Sequence, residues 1–492
     1  EPKSVLELKG SPKLDSDRRF EVETLQLEDH LEVDDWGSCW MGELGLLKDD
    51  EEEEEEEEDD DSGFSKCFPA ENRQIVYEFP ASFDSEQFPG ADFEFSPGYG
   101  GAVGSLEGFA GDLVAGNWNV GLDYVDDLIR LAECFDGDSL QVREVILGRL
   151  NERLRSPAGK PLQRAAFYFK EAIQSILTAM APAVRRAAGS SEIVQTIKAQ
   201  NIFSSISPIV MFSGFTATQA LLEAIDGGGG AMQVHVVDFD VGFGGHWPAF
   251  IKEMAEKANS EKNAPPLIRI SAVVAEEYAA ESNLVRQNLT QFAGDLNVRL
   301  EIDFVSVRSF EYQSFKAIKF TGGGEKLAVL LSPSIFRRIG TGFLNDLRRL
   351  SPTTVVYVDA EGHSGYDTPS RRHAVINGLE FYSALLESVE AANLIGAGGW
   401  DWMRRIETFV LYPKILEAVE GIGRRGGATV VREALAAAGL RPAVLSQFAE
   451  FQAECLLRRV QISGFHLVKR LEDEAMLLCW HNRPLAEMSA WQ

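Results

Sequence analysis

The run VHVVDFDVGFGGHW, from Val234 to Trp247, constrains the fold of this chain more than any other stretch. Val234, Val236 and Val237 form a β-branched apolar run suited to a parallel strand buried on both faces. His235, inside that run, reads as a packed, hydrogen-bonded core histidine rather than a base. Asp238 and Asp240 close the strand, and Gly242, Gly244 and Gly245 permit a tight turn with close backbone approach. His246 and Trp247 complete the turn. From Pro248 the sequence AFIKEMAEKA has helical spacing, with proline at a tolerated early position. A strand, a glycine turn and a helix make the first unit of a doubly wound sheet, where ligands gather at the carboxyl ends of the strands. The turn alone leaves open whether it holds a ligand or only folds.

Downstream, strand-like runs at Leu267–Val274, Arg299–Val307, Leu327–Leu331 and Val355–Val358 alternate with helical ones. The helical runs lie at Asn283–Ala293, Phe343–Leu350, Ile376–Ala392, Trp402–Val419 and Val430–Ala438. Two final runs, Gly464–Arg470 and Glu474–Trp480, joined by a short acidic link, are expected to form an antiparallel hairpin. Upstream, one helical face carries Leu122, Val125, Leu128, Ile129 and Ala132, and a second carries Val142, Val145, Ile146, Leu150 and Leu154. Further helices are expected at Leu162–Leu177, Ser191–Ala199 and Gly214–Ile225. Leucine stripes at this spacing are read as core packing, with dimer pairing a secondary role. The fold class is therefore α/β: a doubly wound, mostly parallel sheet of class I methyltransferase-like arrangement with an N-terminal helical cap.

The chain of 492 residues has a net charge of −29, and residues 1–118 carry −25 of it. Asp49–Asp61 is a run of thirteen consecutive acidic residues, which repels itself and cannot bury enough apolar surface to fold. Trp36, Trp40 and Met41 precede the run, and Tyr77, Phe79, Phe83, Phe88, Phe93 and Phe95 follow it among acids. Acidic–aromatic interleaving is the composition of disordered activation segments that order on a partner, and Gly98–Gly116 reads as a linker. Cys39, Cys67, Cys134, Cys455 and Cys479 are scattered with no CxxC pair, which suits a reducing compartment rather than disulfides or a zinc site. No apolar run reaches membrane-spanning length and no signal peptide is evident, so a soluble intracellular protein with no membrane partner is expected.

Val234-His235-Val236-Val237-Asp238 resembles the VHIID signature of the plant GRAS family, and Ser489-Ala490-Trp491 resembles its SAW signature. Between them, Pro333 and Phe381-Tyr382 are similar to the first parts of its PFYRE region. The remaining Arg-Glu part falls among Arg404, Arg405 and Glu407. Arg149–Ala172 and Ala272–Glu277 resemble the Scarecrow-like branch near the Hairy Meristem type. This resemblance divides the chain into an N-terminal region, 1–118, and a GRAS domain, 119–492. The domain comprises a helical cap with the first leucine-rich region (119–200), the VHIID region (201–275), a second leucine-rich region (276–310), the PFYRE region (318–415) and the SAW region (416–492). It implies a nuclear, non-enzymatic regulator of plant transcription, with transcription factors and co-regulators as partners. DNA would be met directly or through those partners, and homo- or hetero-dimers are left open.

The fold makes an S-adenosylmethionine-dependent methyltransferase, or a small-molecule sensor using the same cleft, the rival reading. Such a cofactor turn carries glycines at alternate positions after the acid; here Asp240 takes the first, ahead of Gly242 and Gly244. A carboxylate there adds bulk and repels the cofactor's own carboxylate, by roughly 1 kcal/mol at about 4 Å in water and more in a drier cleft. Glu276 or Glu277 could still accept from a ribose hydroxyl, so a degenerate pocket without cofactor is the expectation. Its candidate residues are Asp238, Asp240, Gly242, Gly244, Gly245, His246, Trp247 and Glu276. Asp359, Glu361 and His363 resemble a metal cluster, yet strand-end acids need no metal, and no metal is expected. No run of three basic residues occurs, and pairs such as Arg337-Arg338 and Arg348-Arg349 are dispersed, so recruitment to DNA through a partner fits better than autonomous binding.

Overall fold

The computed structural model describes residues 123–136, 140–178, 189–225, 233–261, 264–321, 324–362, 370–395, 400–423, 430–460, 462–472 and 474–492. The acidic arm, the linker, Leu122 and His363 lie outside these residues. Five helices open the described chain: α1 (Asp123–Glu133), α2 (Leu140–Arg153), α3 (Pro161–Thr178), α4 (Ser190–Ile206) and α5 (Pro208–Ile225). Alternation then begins with β1 (Gln233–Asp238), α6 (Trp247–Glu261), β2 (Leu267–Val274), α7 (Ala279–Asp295) and β3 (Arg299–Ser306). It continues through α8 (Val307–Gln313), β4 (Lys326–Leu331), α9 (Pro333–Ile339), α10 (Leu344–Leu350) and β5 (Thr354–Asp359). After β5 come α11 (Arg371–Ile395), α12 (Trp400–Ile406), a π-helical stretch (Glu407–Leu411), α13 (Tyr412–Gly423) and α14 (Val431–Ala437). The two-residue β6 (Pro442–Ala443), α15 (Gln447–Val460), β7 (Phe465–Arg470), β8 (Ala475–Trp480) and β9 (Arg483–Trp491) finish the chain.

The strands form one sheet in the order β3-β2-β1-β4-β5-β9-β8-β7, with β6 beside β9. The first five are parallel, in the doubly wound order with β1 at its centre, and the last three are antiparallel. This is the expected class I methyltransferase-like arrangement. Period-2 alternation buries both faces of the parallel part. Val234 and Val236, Ala328 and Leu330, and Val356 enter one apolar core, while Val237, Val329 and Leu331, and Val355 and Tyr357 enter the other.

Several expectations are corrected. The terminal hairpin is a three-stranded meander, and its last strand, β9, pairs with β5 and carries Ser489-Ala490-Trp491. The run RPLAEMSAW lacks clean alternation because seven consecutive residues, Leu485–Trp491, are buried. Helices α8, α9 and α15 were not anticipated, whereas the expected helix at Trp402–Val419 runs without interruption through α12, the π-helical stretch and α13. Val142 and Val145, assigned to the inner face of α2, are exposed, and only Ile146 and Leu150 within that helix are buried. Among the described residues one helix, α5, has the length and composition to cross a membrane, with mean hydropathy 1.2, and half of it is buried inside the protein. It packs on α15, β5 and β9 as a core helix. The cap is completed from far along the chain, because α11 and α13 pack on α3.

Candidate functional site

The site grows from the carboxyl end of β1, where Asp238 is fully buried. One carboxylate oxygen accepts the Asp240 backbone N–H at 2.8 Å, an Asx turn that stops the strand. The other accepts the indole N–H of Trp247 at 3.0 Å and lies 3.3 Å from His246 Nε2. Trp247 is itself buried and meets Phe250 edge-on at 5.6 Å, so the helix start is pinned to the strand end. Within the turn, Gly244 has φ +79° and donates to the Val241 carbonyl at 2.8 Å. A Cβ on Gly244 would sit 3.1 Å from Leu289 Cδ1 and 3.3 Å from Val285 Cγ1 of α7, so both backbone and space call for glycine. Gly242 is left-handed in open space, whereas Gly245 is neither left-handed nor crowded. The hydroxyl of Tyr278, at the start of α7, donates to the Gly242 carbonyl.

Asp240 itself is exposed. Withdrawal from bulk water by the surrounding protein, then the carboxylates of Glu361, Asp238 and Glu417, partly offset by Lys414, push its carboxyl up to about 6. Glu276, expected as part of the pocket, is exposed and pairs with Arg308 at 3.6 Å. The residue of that loop that bonds to the turn is Tyr278. His235 is buried inside β1; its Nε2 shares a hydrogen bond of 2.9 Å with Ser271, and burial lowers its pKa, so the ring is neutral.

The end of β5 repeats the pattern. Asp359 accepts the Glu361 backbone N–H at 2.8 Å, and both residues are buried. Glu361 is drawn onto Arg337 of α9, which also lies 3.5 Å from Glu417; Lys414 stands 3.8 Å from Glu361. Among the described residues no group of three His, Cys, Asp or Glu side chains could hold a metal ion. Pro333 begins α9 as a buried N1 residue, and Phe381 lies where any Cβ on Gly362 would be, which only the left-handed glycine at φ +65° allows. Tyr382, buried beside Phe381, meets Phe169 of the cap edge-on at 6.0 Å. Trp491, also buried, donates its indole N–H to Ser489 at 3.0 Å.

One buried cluster was missed from sequence. Arg164 of α3 pairs with Glu407 of the π-helical stretch at 2.8 Å and with Glu390 of α11, while the Tyr168 hydroxyl donates to Glu407 at 2.9 Å. Glu407 is therefore the buried member of the Arg404, Arg405, Glu407 trio, and both arginines are exposed. Its signal was an arginine on the inner face of α3, among the buried Ala165, Tyr168 and Phe169.

The GRAS domain family model matches residues 124–492. Scarecrow-like protein 15 of Arabidopsis thaliana is 47% identical over 413 residues, covering 83% of both chains. Scarecrow-like protein 6 of the same plant is 33% identical over 374 residues, 75% of this chain and 62% of that one. The crystal structure of SCL7 in Oryza sativa, 24% identical, superposes with a TM-score of 0.54 over 75% of this chain and 99% of that chain, and shows the same fold. The chain belongs to the GRAS domain family, among the Scarecrow-like proteins.

Proposed function

We propose that this chain is a nuclear regulator of transcription in plant development that works through protein partners and performs no chemistry in its strand-end cleft. The observation that carries the non-catalytic part is the state of Asp238. Both of its oxygens are committed within the fold, to the Asp240 amide and to the buried Trp247 indole. Asp240 follows where a cofactor-binding turn would need glycine, and it places a carboxylate where the cofactor's own carboxylate would approach. The regulator reading rests on family membership and on the acidic–aromatic composition of residues 1–118, which suits contact with transcription machinery. In this reading residues 119–492 hold other transcription factors and co-regulators. A sequence-specific partner brings DNA, because the chain's −29 charge opposes autonomous phosphate contact.

Calorimetric titration of S-adenosylmethionine into the full chain tests the cleft, and silence up to about millimolar ligand is the expected outcome. Micromolar binding would overturn the non-catalytic reading. Imaging of the tagged full chain in plant cells tests the nuclear assignment, and steady cytoplasmic signal would remove it.

A further inference from the structure

We propose that the space beside the glycine turn is a subsite for a small organic cation, an alkylammonium or guanidinium group, held by Glu281 and Asp240. The inference goes beyond the regulator reading and stands apart from it. Glu281, Val285 and Leu289 follow one another at one-turn intervals along a single face of α7. That face is the one packed on the turn, because Val285 and Leu289 crowd Gly244. Glu281 therefore presents its carboxyl beside the same turn, from the helix end that also supplies Tyr278 to the Gly242 carbonyl.

Glu281 is only 8% exposed, and its Oε2 has no hydrogen-bond partner. Burial raises its pKa, a backbone hydrogen bond at Glu281 partly offsets this, and Glu192 of α4 and Glu277 raise it further as like charges. Tyr278 lies in the combined field of Glu281, Asp240 and Asp238. The cation that acts on Asp240 is Lys414, and that ammonium is shared with Glu361 at 3.8 Å. A buried carboxylate oxygen left without a partner, as Oε2 is, is costly and is met either by a proton or by a cation. A compact organic cation fits better than a metal ion, since no three ligating side chains among the described residues converge.

Hydrogen exchange of the full chain with agmatine, which carries both an ammonium and a guanidinium, tests the proposal. Peptides spanning Phe239–Trp247 and Tyr278–Val285 report on the subsite, apart from any agmatine attracted to the acidic run Asp49–Asp61. At ligand concentrations about ten times Kd, exchange from states that release the ligand should slow by roughly tenfold at both peptides. E281Q should abolish the response and D240N should weaken it, with the thermal transition retained because neither change removes an ion pair. A tripeptide amide bearing arginine in place of agmatine distinguishes the source. Equal protection would mean a side chain offered by a partner, agmatine alone a free amine, and either supports the subsite. Unchanged exchange in the wild-type chain, or an undiminished response in E281Q, would overturn it.

Discussion

The ends of β1 and β5 begin alike and finish differently. Each strand closes on a buried aspartate whose carboxylate accepts the backbone N–H two residues on, and each of those next residues is an acid. At β5 the following acid, Glu361, is buried against the guanidinium of Arg337. At β1 the following acid, Asp240, remains in contact with water, and the buried partner of Asp238 is a neutral indole. The local pattern is set by the Asx turn, whereas the fate of the second acid depends on what a distant element delivers. Helix α9, which follows β4, brings Arg337 to one end; the glycine turn of β1 leads straight into α6 and brings Trp247 to the other.

The largest effect should come from breaking the charged end. Arg337→Met would leave the buried Glu361 with only Lys414 at 3.8 Å, while Glu417 keeps Arg338 at 3.0 Å, at a cost of about 3 kcal/mol in urea unfolding of the full chain. A loss under about 1 kcal/mol would mean that the two ends are electrostatically equivalent. Next in size, the glycines separate space from backbone angle. Gly362→Ala must displace the Phe381 ring and adopt φ +65°, for about 3 kcal/mol. Gly242→Ala, at φ +48° with nothing within 4 Å of its Cβ, should cost only about 1 kcal/mol. Equal costs would show that the packing of Phe381 on Gly362 contributes little.

The same division explains what could be read from sequence. Val234, Val236 and Val237 revealed β1 because a parallel strand buried on both faces is an uninterrupted β-branched run. Leu267–Val274 was legible to the residue for the same reason. Strand β9 was not: its nine residues include a proline, a glutamate and a serine, and their burial depends on β5 and β8 lying on either side. Val142 and Val145 fit the helical spacing of α2, yet Ile146 and Leu150 are the residues of that helix that are buried, because which stripe faces inward is decided by the neighbour. Of the candidate site, Asp238, Gly244 and Trp247 converge as their spacing implied. Glu276 stands apart with Arg308, and Tyr278 reaches the turn only because α7 packs on it. Arg164 and Glu407 are 243 residues apart, and no local pattern could have joined them.

The smallest effect is the sharpest test of the difference, because it reverses sign between the two ends. The Asp240 carboxyl is pushed up to about 6 from its ordinary 3.8, so the folded chain holds that proton more tightly than the unfolded one. Its contribution to stability is therefore fully present below the ordinary value and is lost as the pH rises through about 6. Asp240→Asn removes the carboxylate and should make the chain more stable than wild type at pH 8. The gain should be about 1 kcal/mol once the water-accessible side chain is discounted for solvent screening, and it should shrink to nothing near pH 4. Glu361→Gln, made on the acid that Arg337 needs, should destabilise at pH 8 instead, since the buried guanidinium loses its main partner. Thermal melts of both variants across this range decide the matter. If Asp240→Asn also destabilises at pH 8, Asp240 has a cationic partner after all, and the ends of β1 and β5 are built on one plan.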